Sequence, residues 1–177
     1  MSEYEFFHIY GFRTVYPVDW KVELDPKSER SEGNVTFKSP EKAHIVVSWG
    51  PLEKGKEKYS SLEEHAIDSI NRIKKDRKVK EVELVQTRNV QVNSHEAILS
   101  HIRMVFSTRR LLPFGKGKTH EREVRSLHLY CKPSGRYFVI YGVTTTDKSL
   151  RQGRIFESII EFLSCHSKRS NNARSAR

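Results

Sequence analysis

Residues 11–20 read GFRTVYPVDW, and this stretch predicts how the chain begins to fold. Phe12–Tyr16 is aromatic and β-branched, and Pro17 ends the run because proline has no N–H to donate to a strand ladder. The preceding residues 6–10 (FFHIY) are equally prone to form a strand, and a glycine separates the two runs. Trp20–Leu24 alternates apolar and polar side chains at period two, as a half-buried strand does. The N-terminal part is therefore predicted to form several short strands with tight connections.

Further strands follow along the chain. Asn93–Ser94 and Pro133–Arg136 contain turn-forming residues, which predict a hairpin at each place. Thr87–Arg88 is predicted to be a polar kink between two strand-like runs. The remaining strand-like runs, rich in β-branched and aromatic residues, lie at 35–37, 43–49, 82–85, 89–92, 96–106, 126–131 and 137–143.

Two helices are predicted, one between the strands and one after them. Ser61 and Glu64 fit a capping box, in which each side chain satisfies a free backbone donor near the other residue. Apolar residues then recur at helical spacing as far as Asp76. The closing helix has N-cap candidates at Thr144–Asp147. Its apolar stripe consists of Leu150, Ile155, Phe156, Ile159, Ile160 and Leu163.

Strands, helix, strands and helix in this order are typical of an α+β fold. We expect one domain over residues 1–165, in which two helices sandwich a long antiparallel sheet.

This layout resembles the PsbP-like family, which is named for an extrinsic protein of the oxygen-evolving complex and shares its fold with the Ran guanine nucleotide release factor. The residues that carry the resemblance are GF, YP and W in 11–20, the strands at 35–37 and 45–49, the helix start Ser61–Glu64, and FESIIEF at 156–162. The resemblance implies an α/β/α sandwich and a non-enzymatic protein that binds other proteins. The release factor engages its GTPase through an acidic surface, whereas the distinctive surface here is basic. No functional residue of the family therefore carries over by position.

Charge is concentrated in the second half of the chain. The 32 Lys and Arg residues exceed the 22 Asp and Glu residues by ten, yet residues 1–107 carry 17 of each kind. The whole excess therefore lies in residues 108–177. The segment 108–125 (TRRLLPFGKGKTHEREVR), here called the basic segment, has six basic and two acidic residues, and we predict a long loop between neighbouring strands. Residues 166–177, here called the basic tail, are predicted to be disordered.

Length and composition exclude several protein classes. The 177 residues suit one domain, and no apolar run approaches the roughly 20 residues that cross a bilayer. The N-terminus lacks the pattern of a secretory signal. Two cysteines, Cys131 and Cys165, cannot form a disulfide scaffold, which favours a reducing cytoplasm.

Catalytic and metal-binding motifs are not evident. Gly117–Thr119 resembles the end of a phosphate-binding loop. Such a loop needs a glycine five positions before Gly117, and that position is Leu112. Ser134 lacks the preceding glycine of a nucleophile elbow. None of the eight histidines has the short spacing of a zinc motif. Cys131 is interpreted as a small buried hydrophobe, and Cys165–His166 as too mobile to converge with other ligands. We therefore expect no catalytic residue, no cofactor and no metal, and an enzyme is not supported.

The basic segment and the basic tail are the main functional candidates. They predict a non-catalytic cytoplasmic binding or adaptor module that docks on an acidic partner, with a protein complex favoured and non-specific binding to nucleic-acid phosphates as the alternative. A third interpretation is a small enzyme or ligand carrier with a pocket at the end of the sheet. The apolar residues of the basic segment are equally compatible with a cap over an open end of the sandwich, which would leave the charges merely solvated. The partner-binding candidates are Arg109, Arg110, Phe114, Lys116, Lys118, Arg122, Arg125, Lys168 and Arg169.

Overall fold

The computed structural model describes residues 3–107 and 119–166, in which nine strands and three α-helices are formed. In chain order these elements are β1 (Tyr4–Ile9), β2 (Phe12–Pro17), β3 (Lys21–Leu24), β4 (Gly33–Lys38), β5 (His44–Pro51), α1 (Leu52–Lys58), α2 (Leu62–Lys74), β6 (Val79–Val92), β7 (His95–Ser107), β8 (Thr119–Cys131), β9 (Arg136–Thr145) and α3 (Ser149–Glu161).

Seven of these strands form one antiparallel sheet in the order β3-β4-β5-β9-β8-β7-β6, and β1 pairs with β2 in a separate hairpin. The predicted turn between β6 and β7 is confirmed, since Asn93 and Ser94 both have positive φ, 46° and 67°. Two consecutive residues with positive φ form a two-residue hairpin turn, and the twist of that turn matches the twist of the flanking strands. This turn fixes the register of β6 with β7, and the pairing of β7 with β8 then decides which side chains meet at each end of that pair.

The two faces of the sheet carry different helices. On β8, His128 contacts Ser69 of α2 at 2.9 Å between Nε2 and Oγ. Its neighbours Leu127 and Leu129 point to the other face, into a core that contains Phe156 and Ile159 of α3. This alternation confirms the α+β fold with an α/β/α sandwich.

The N-terminal hairpin completes the core on the α3 side. Phe12 is fully buried, and its ring lies 5.1 Å from Trp49 and 5.7 Å from Phe138, centroid to centroid. The helix also approaches the sheet closely, because a Cβ added to Gly142 would lie 3.0 Å from the ring of Phe156. The aromatic residues of the opening stretch are therefore packing residues.

Several element boundaries differ from the predictions. The kink predicted at Thr87–Arg88 does not divide the strand, since β6 continues from Val79 to Val92; its register with β7 shifts between Val79 and Glu81 and between Leu84 and Gln86. Helix α1 was not predicted, because it has only seven residues and a central glycine, Gly55. That glycine packs on the ring of Tyr137, so tertiary contact stabilises a helix that local propensity disfavours.

The ends of the two predicted helices are corrected in detail. The Ser61 hydroxyl accepts from the Glu64 N–H at 3.1 Å, as expected, but the Glu64 carboxylate accepts from the N–H of Ser60 rather than from that of Ser61. Leu150 is 82% exposed and does not belong to the buried stripe of α3. It follows the first residue of the helix and faces away from the sheet. No helix in the described ranges is long and apolar enough to cross a membrane.

Candidate functional site

The strand pair β7–β8 has two ends with different chemistry. At the first, here called the basic end, β7 stops at Ser107 and β8 starts at Thr119. At the second, here called the cysteine end, β7 starts at His95 and β8 stops at Cys131.

Only two of the nine partner-binding candidates lie in the described residues, and both are on β8. This corrects the predicted loop, because the strand begins at Thr119 and includes Arg122 and Arg125. The other seven lie outside the described residues: Arg109, Arg110, Phe114, Lys116, Lys118, Lys168 and Arg169.

The two arginines point to opposite faces of the sheet and differ in their surroundings. Arg122 is exposed, and its guanidinium carbon lies 5.4 Å from the centroid of the Phe106 ring. Arg125 is half-buried against Gly153 and donates to a carboxylate oxygen of Glu157 at 3.3 Å. Arg122 therefore offers its charge to solvent, whereas that of Arg125 is partly engaged within the fold.

The acidic residue between these arginines does not neutralise the surface. Glu123 is 5% exposed and accepts hydrogen bonds from the Ser149 hydroxyl and from His101 Nε2, the latter at 2.8 Å. Burial alone would raise the pKa of Glu123, but these two donors and the charge of Arg103 lower it below its ordinary value. The carboxylate thus stays ionised inside the protein, on the face opposite Arg122.

Arg122 also acts on a histidine two strands away in the sheet. Burial lowers the pKa of His44 on β5, and the charges of Arg122 and Lys38 lower it further. Lys38 lies on β4 and pairs with Glu23, whereas Arg122 is an exposed cation of the basic end. The face that carries Arg122 therefore presents a positive charge at the basic end.

A serine–histidine contact under α2 lacks the geometry of a catalytic triad. Ser69 donates its hydroxyl to the carbonyl of His65 at 3.1 Å, which leaves its oxygen to accept from His128 Nε2. His128 is 1% exposed, and its Nδ1 has no hydrogen-bond partner in the ranges described. A triad needs an orienting carboxylate at that nitrogen and access for a substrate. The contact instead attaches α2 to the sheet.

An open groove of about 1290 Å³ lies at the cysteine end. The enzyme or carrier interpretation requires a pocket at an end of the sheet, and the sequence did not predict which end. Its walls come from the start of α2, the β6–β7 turn and the end of β8, with Tyr59, Tyr130 and Lys132 among the lining residues. The groove is wide and bordered by half-exposed side chains, and the ionisable groups that line it do not form a nucleophile–base pair in the described residues.

Four metal-binding side chains converge beside this groove. One ligand atom from each of His95, Cys131, Cys165 and His166 lies within 4.8 Å of all the others. The Sγ of Cys131 is 3.4 Å from His166 Nδ1 and 3.8 Å from His95 Nε2, and the Sγ of Cys165 is 3.5 Å from His166 Nδ1. Both cysteines are buried and both histidines are half-buried. We call these four residues the Cys–His cluster.

The cluster corrects two interpretations of the sequence. Cys165 and His166 are not too mobile to converge, because Ser164 forms a two-way backbone bridge with Arg13 of β2, at 2.8 and 2.7 Å. The assignment of His166 to a disordered tail is likewise wrong, although residues 167–177 lie outside the described part. Cys131 is buried, as expected, but it contacts polar groups as well as apolar ones.

A buried arginine completes the surroundings of the cluster. Arg136 is 5% exposed and donates to the carbonyl oxygens of Cys165 and Arg30, each at 3.2 Å. The contact with the Cys165 thiol, assisted by donors from Ser134 and His166, lowers the pKa of Cys131 below its ordinary value, and the same contact raises the pKa of Cys165. The pair of thiols thus favours a single negative charge that the two sulfurs share.

Comparisons with known proteins identify the fold. No family model and no curated protein matches the sequence. Among solved structures, cyanobacterial PsbP (CyanoP) from Synechocystis sp. PCC 6803 superposes with a TM-score of 0.60 at 10% identity, covering 93% of each chain. The Ran-binding protein Mog1p of Saccharomyces cerevisiae gives a TM-score of 0.58 at 9% identity, covering 93% of this chain and 96% of that one.

The chain has the PsbP-like fold. The resemblance expected from the opening GFRTVYPVDW stretch is thus confirmed at the level of fold. Identities of 9–10% show the architecture alone, so the PsbP-like fold does not by itself assign a function to the basic end or to the Cys–His cluster.

Proposed function

We propose that this protein is a non-catalytic cytoplasmic binding module that docks on an acidic partner through its basic segment and basic tail. The observation that carries the proposal is the exposed Arg122, whose guanidinium lies over the Phe106 ring at the basic end. Arg122 belongs to the basic segment. The basic segment and the basic tail together carry most of the net charge of +10. A neutral body that carries cationic segments attracts an acidic surface and orients it during encounter.

A protein is the favoured class of partner. Mog1p, which shares the fold, is described as a Ran-binding protein, so this architecture is able to present a protein-docking surface. The cytoplasmic location agrees with two free cysteines, Cys131 and Cys165, kept as thiols.

Non-specific nucleic-acid binding is the second candidate, because the charge excess of the basic segment and basic tail suits phosphates as well as carboxylates. Docking on phosphates would release counterions, so its affinity would fall steeply with salt. The described residues contain no recognised nucleic-acid-binding motif that reads base sequence.

A charge-reversal experiment tests the proposal. Arg109, Arg110, Lys116 and Lys118 are changed together to glutamate, and binding to poly-L-glutamate and to single- and double-stranded oligonucleotides is titrated at low and physiological salt. The matched control changes Lys27, Lys56, Lys74 and Lys75 to glutamate. These four lysines are exposed in the electroneutral half of the chain, and their reversal alters the net charge by the same amount.

The two variants separate a localised interface from a general charge effect. We expect the variant of the basic segment to lose most of its binding while the control retains it. Equal loss in both variants would show that net charge alone drives binding and would contradict docking through the basic segment. Binding to oligonucleotides without binding to poly-L-glutamate would select the second candidate, and no binding to either probe at low salt would reject both.

A further inference from the structure

We propose that His95, Cys131, Cys165 and His166 form a structural zinc site. The proposal does not depend on the docking function, because it rests on the thiol and imidazole groups at the opposite end of the β7–β8 pair, of which only His166 belongs to the basic tail. It goes beyond the expectation from sequence, in which no metal was predicted.

The distances in the Cys–His cluster fit a tetrahedral zinc ion. With Zn–S near 2.3 Å and Zn–N near 2.0–2.1 Å, tetrahedral angles place sulfur and nitrogen ligands about 3.5 Å apart. Three of the four sulfur–nitrogen distances within the cluster are 3.4, 3.5 and 3.8 Å, and all the ligand atoms lie within 4.8 Å of one another. The donors therefore already stand near the spacing that the ion requires, and small side-chain rotations would complete the site.

The ligand types select the metal and its role. Two thiolates and two imidazoles are a set that Zn²⁺ prefers, whereas Mg²⁺ and Ca²⁺ take oxygen ligands. Four protein ligands leave no position open for a substrate or an activated water, which is the arrangement of structural zinc sites. Two thiolates also neutralise the charge of the ion, so the buried site carries no net charge.

The surroundings hold the ligands in place before any ion binds. The main-chain carbonyls of the three ligands outside β7 each accept a side-chain hydrogen bond, from Ser134 to Cys131 at 3.3 Å, from Arg136 to Cys165 at 3.2 Å, and from Ser164 to His166 at 3.0 Å. Asn93 in the β6–β7 turn also donates to the carbonyl of Leu163, just before the ligand pair. Such outer contacts orient ligands and raise metal affinity.

The site would join three separate parts of the fold. His95 comes from the start of β7, Cys131 from the end of β8, and Cys165 with His166 from the segment after α3. A zinc ion would therefore fix the C-terminal segment to the sheet immediately before residues 167–177. This position is far from the basic end, so the ion would stabilise the scaffold without contacting Arg122.

Metal titration of the full chain tests the site. Protein treated with a chelator under reducing conditions is titrated with Zn²⁺ and, separately, with Co²⁺, whose spectrum reports geometry and sulfur ligation. We expect one ion per chain, proton release from the thiols, the visible bands of tetrahedral Co²⁺ and a sulfur-to-cobalt charge-transfer band. Cys131→Ser and His95→Gln should each weaken binding at least about 100-fold, and Cys131→Ser should reduce the charge-transfer band.

A histidine outside the Cys–His cluster provides the control. His120→Gln removes an exposed histidine at the basic end and should leave stoichiometry and spectrum unchanged. Should Cys131→Ser fail to fold, His95→Gln decides, because His95 is half-buried at a strand start and its loss perturbs the core little. Substoichiometric binding by the reduced wild-type chain, a Cys131–Cys165 disulfide with no metal uptake after reduction, or unchanged binding in both ligand variants would overturn the proposal.

Discussion

The two ends of the β7–β8 pair use polar residues in opposite ways. At the cysteine end they are buried and mutually partnered, as Arg136 shows with 5% exposure and two carbonyl acceptors. At the basic end Arg122 is exposed and rests on one aromatic ring. Buried polar groups need partners to be stable, whereas exposed charges need none. We therefore expect the cysteine end to determine stability and the basic end to determine binding.

Zinc removal should give the largest difference between the ends. An ion present at about 1,000 times its dissociation constant adds about 4 kcal/mol to the free energy of unfolding. In a chain of this size that energy corresponds to a fall in Tm of roughly 8–16 °C when a chelator removes the ion. Differential scanning calorimetry of reduced, zinc-loaded protein with and without chelator measures the shift.

The control for this prediction is the variant Cys131→Ser/Cys165→Ser, whose Tm should not respond to the chelator. Charge reversal at the basic end should leave the response intact. If the Tm of the wild-type protein does not change with zinc, the predicted difference in stability between the two ends is contradicted.

The sequence predicted one end better than the other for a physical reason. The charge of the basic segment is a local property that can be counted along the chain, and sheet and helices follow from periodicity. The Cys–His cluster joins residues up to 71 positions apart, and their convergence depends on the Asn93–Ser94 turn, on the pairing of β7 with β8, and on the return of the chain after α3. The Asn93–Ser94 turn and the two neighbouring strands could be predicted from the sequence and place His95 and Cys131 near the same sheet end, but the return after α3 depends on a tertiary bridge from Arg13 to Ser164.

Acid should destabilise the protein through two histidines between α2 and the sheet. Burial, with a contribution from Arg72, lowers the pKa of His65 to about 4, and burial with the charge of His65 lowers the pKa of His128 to about 3. The unfolded chain takes up a proton on each near pH 6.5, whereas the folded chain does not, so stability is full above that pH and falls as pH decreases. We expect a loss of about 2 kcal/mol per histidine between pH 6.5 and 4.5.

Urea unfolding at several pH values, with chelator present, measures this loss separately from zinc release. His128→Gln retains an amide N–H toward Ser69 and should reduce the proton difference between folded and unfolded states by about one. An unchanged slope in this variant would assign the acid sensitivity to other groups.

Matched arginine substitutions compare the two ends directly. Arg136→Met leaves the carbonyls of Cys165 and Arg30 without their donor in a buried site, which should cost about 2 kcal/mol. Arg125→Met breaks a contact with Glu157, whose side chain is 62% exposed, and should cost about 0.5 kcal/mol. Denaturant unfolding at neutral pH measures both, and equal costs would show that burial does not distinguish the ends.

The smallest change in stability should come from Arg122, the exposed arginine that we propose for docking. Arg122→Gln removes an exposed charge above Phe106, and the lost cation–π contact should cost about 0.5 kcal/mol. Its effect on binding should be clear, because one fewer cation faces the acidic partner. For an oligonucleotide probe, the slope of log affinity against log salt should fall by roughly one.

Arg125→Gln is the matched control, since Arg125 is half-buried and already paired with Glu157. A slope that falls equally in both variants would place the docking surface on both faces of the sheet, and a slope that falls in neither would remove Arg122 from it.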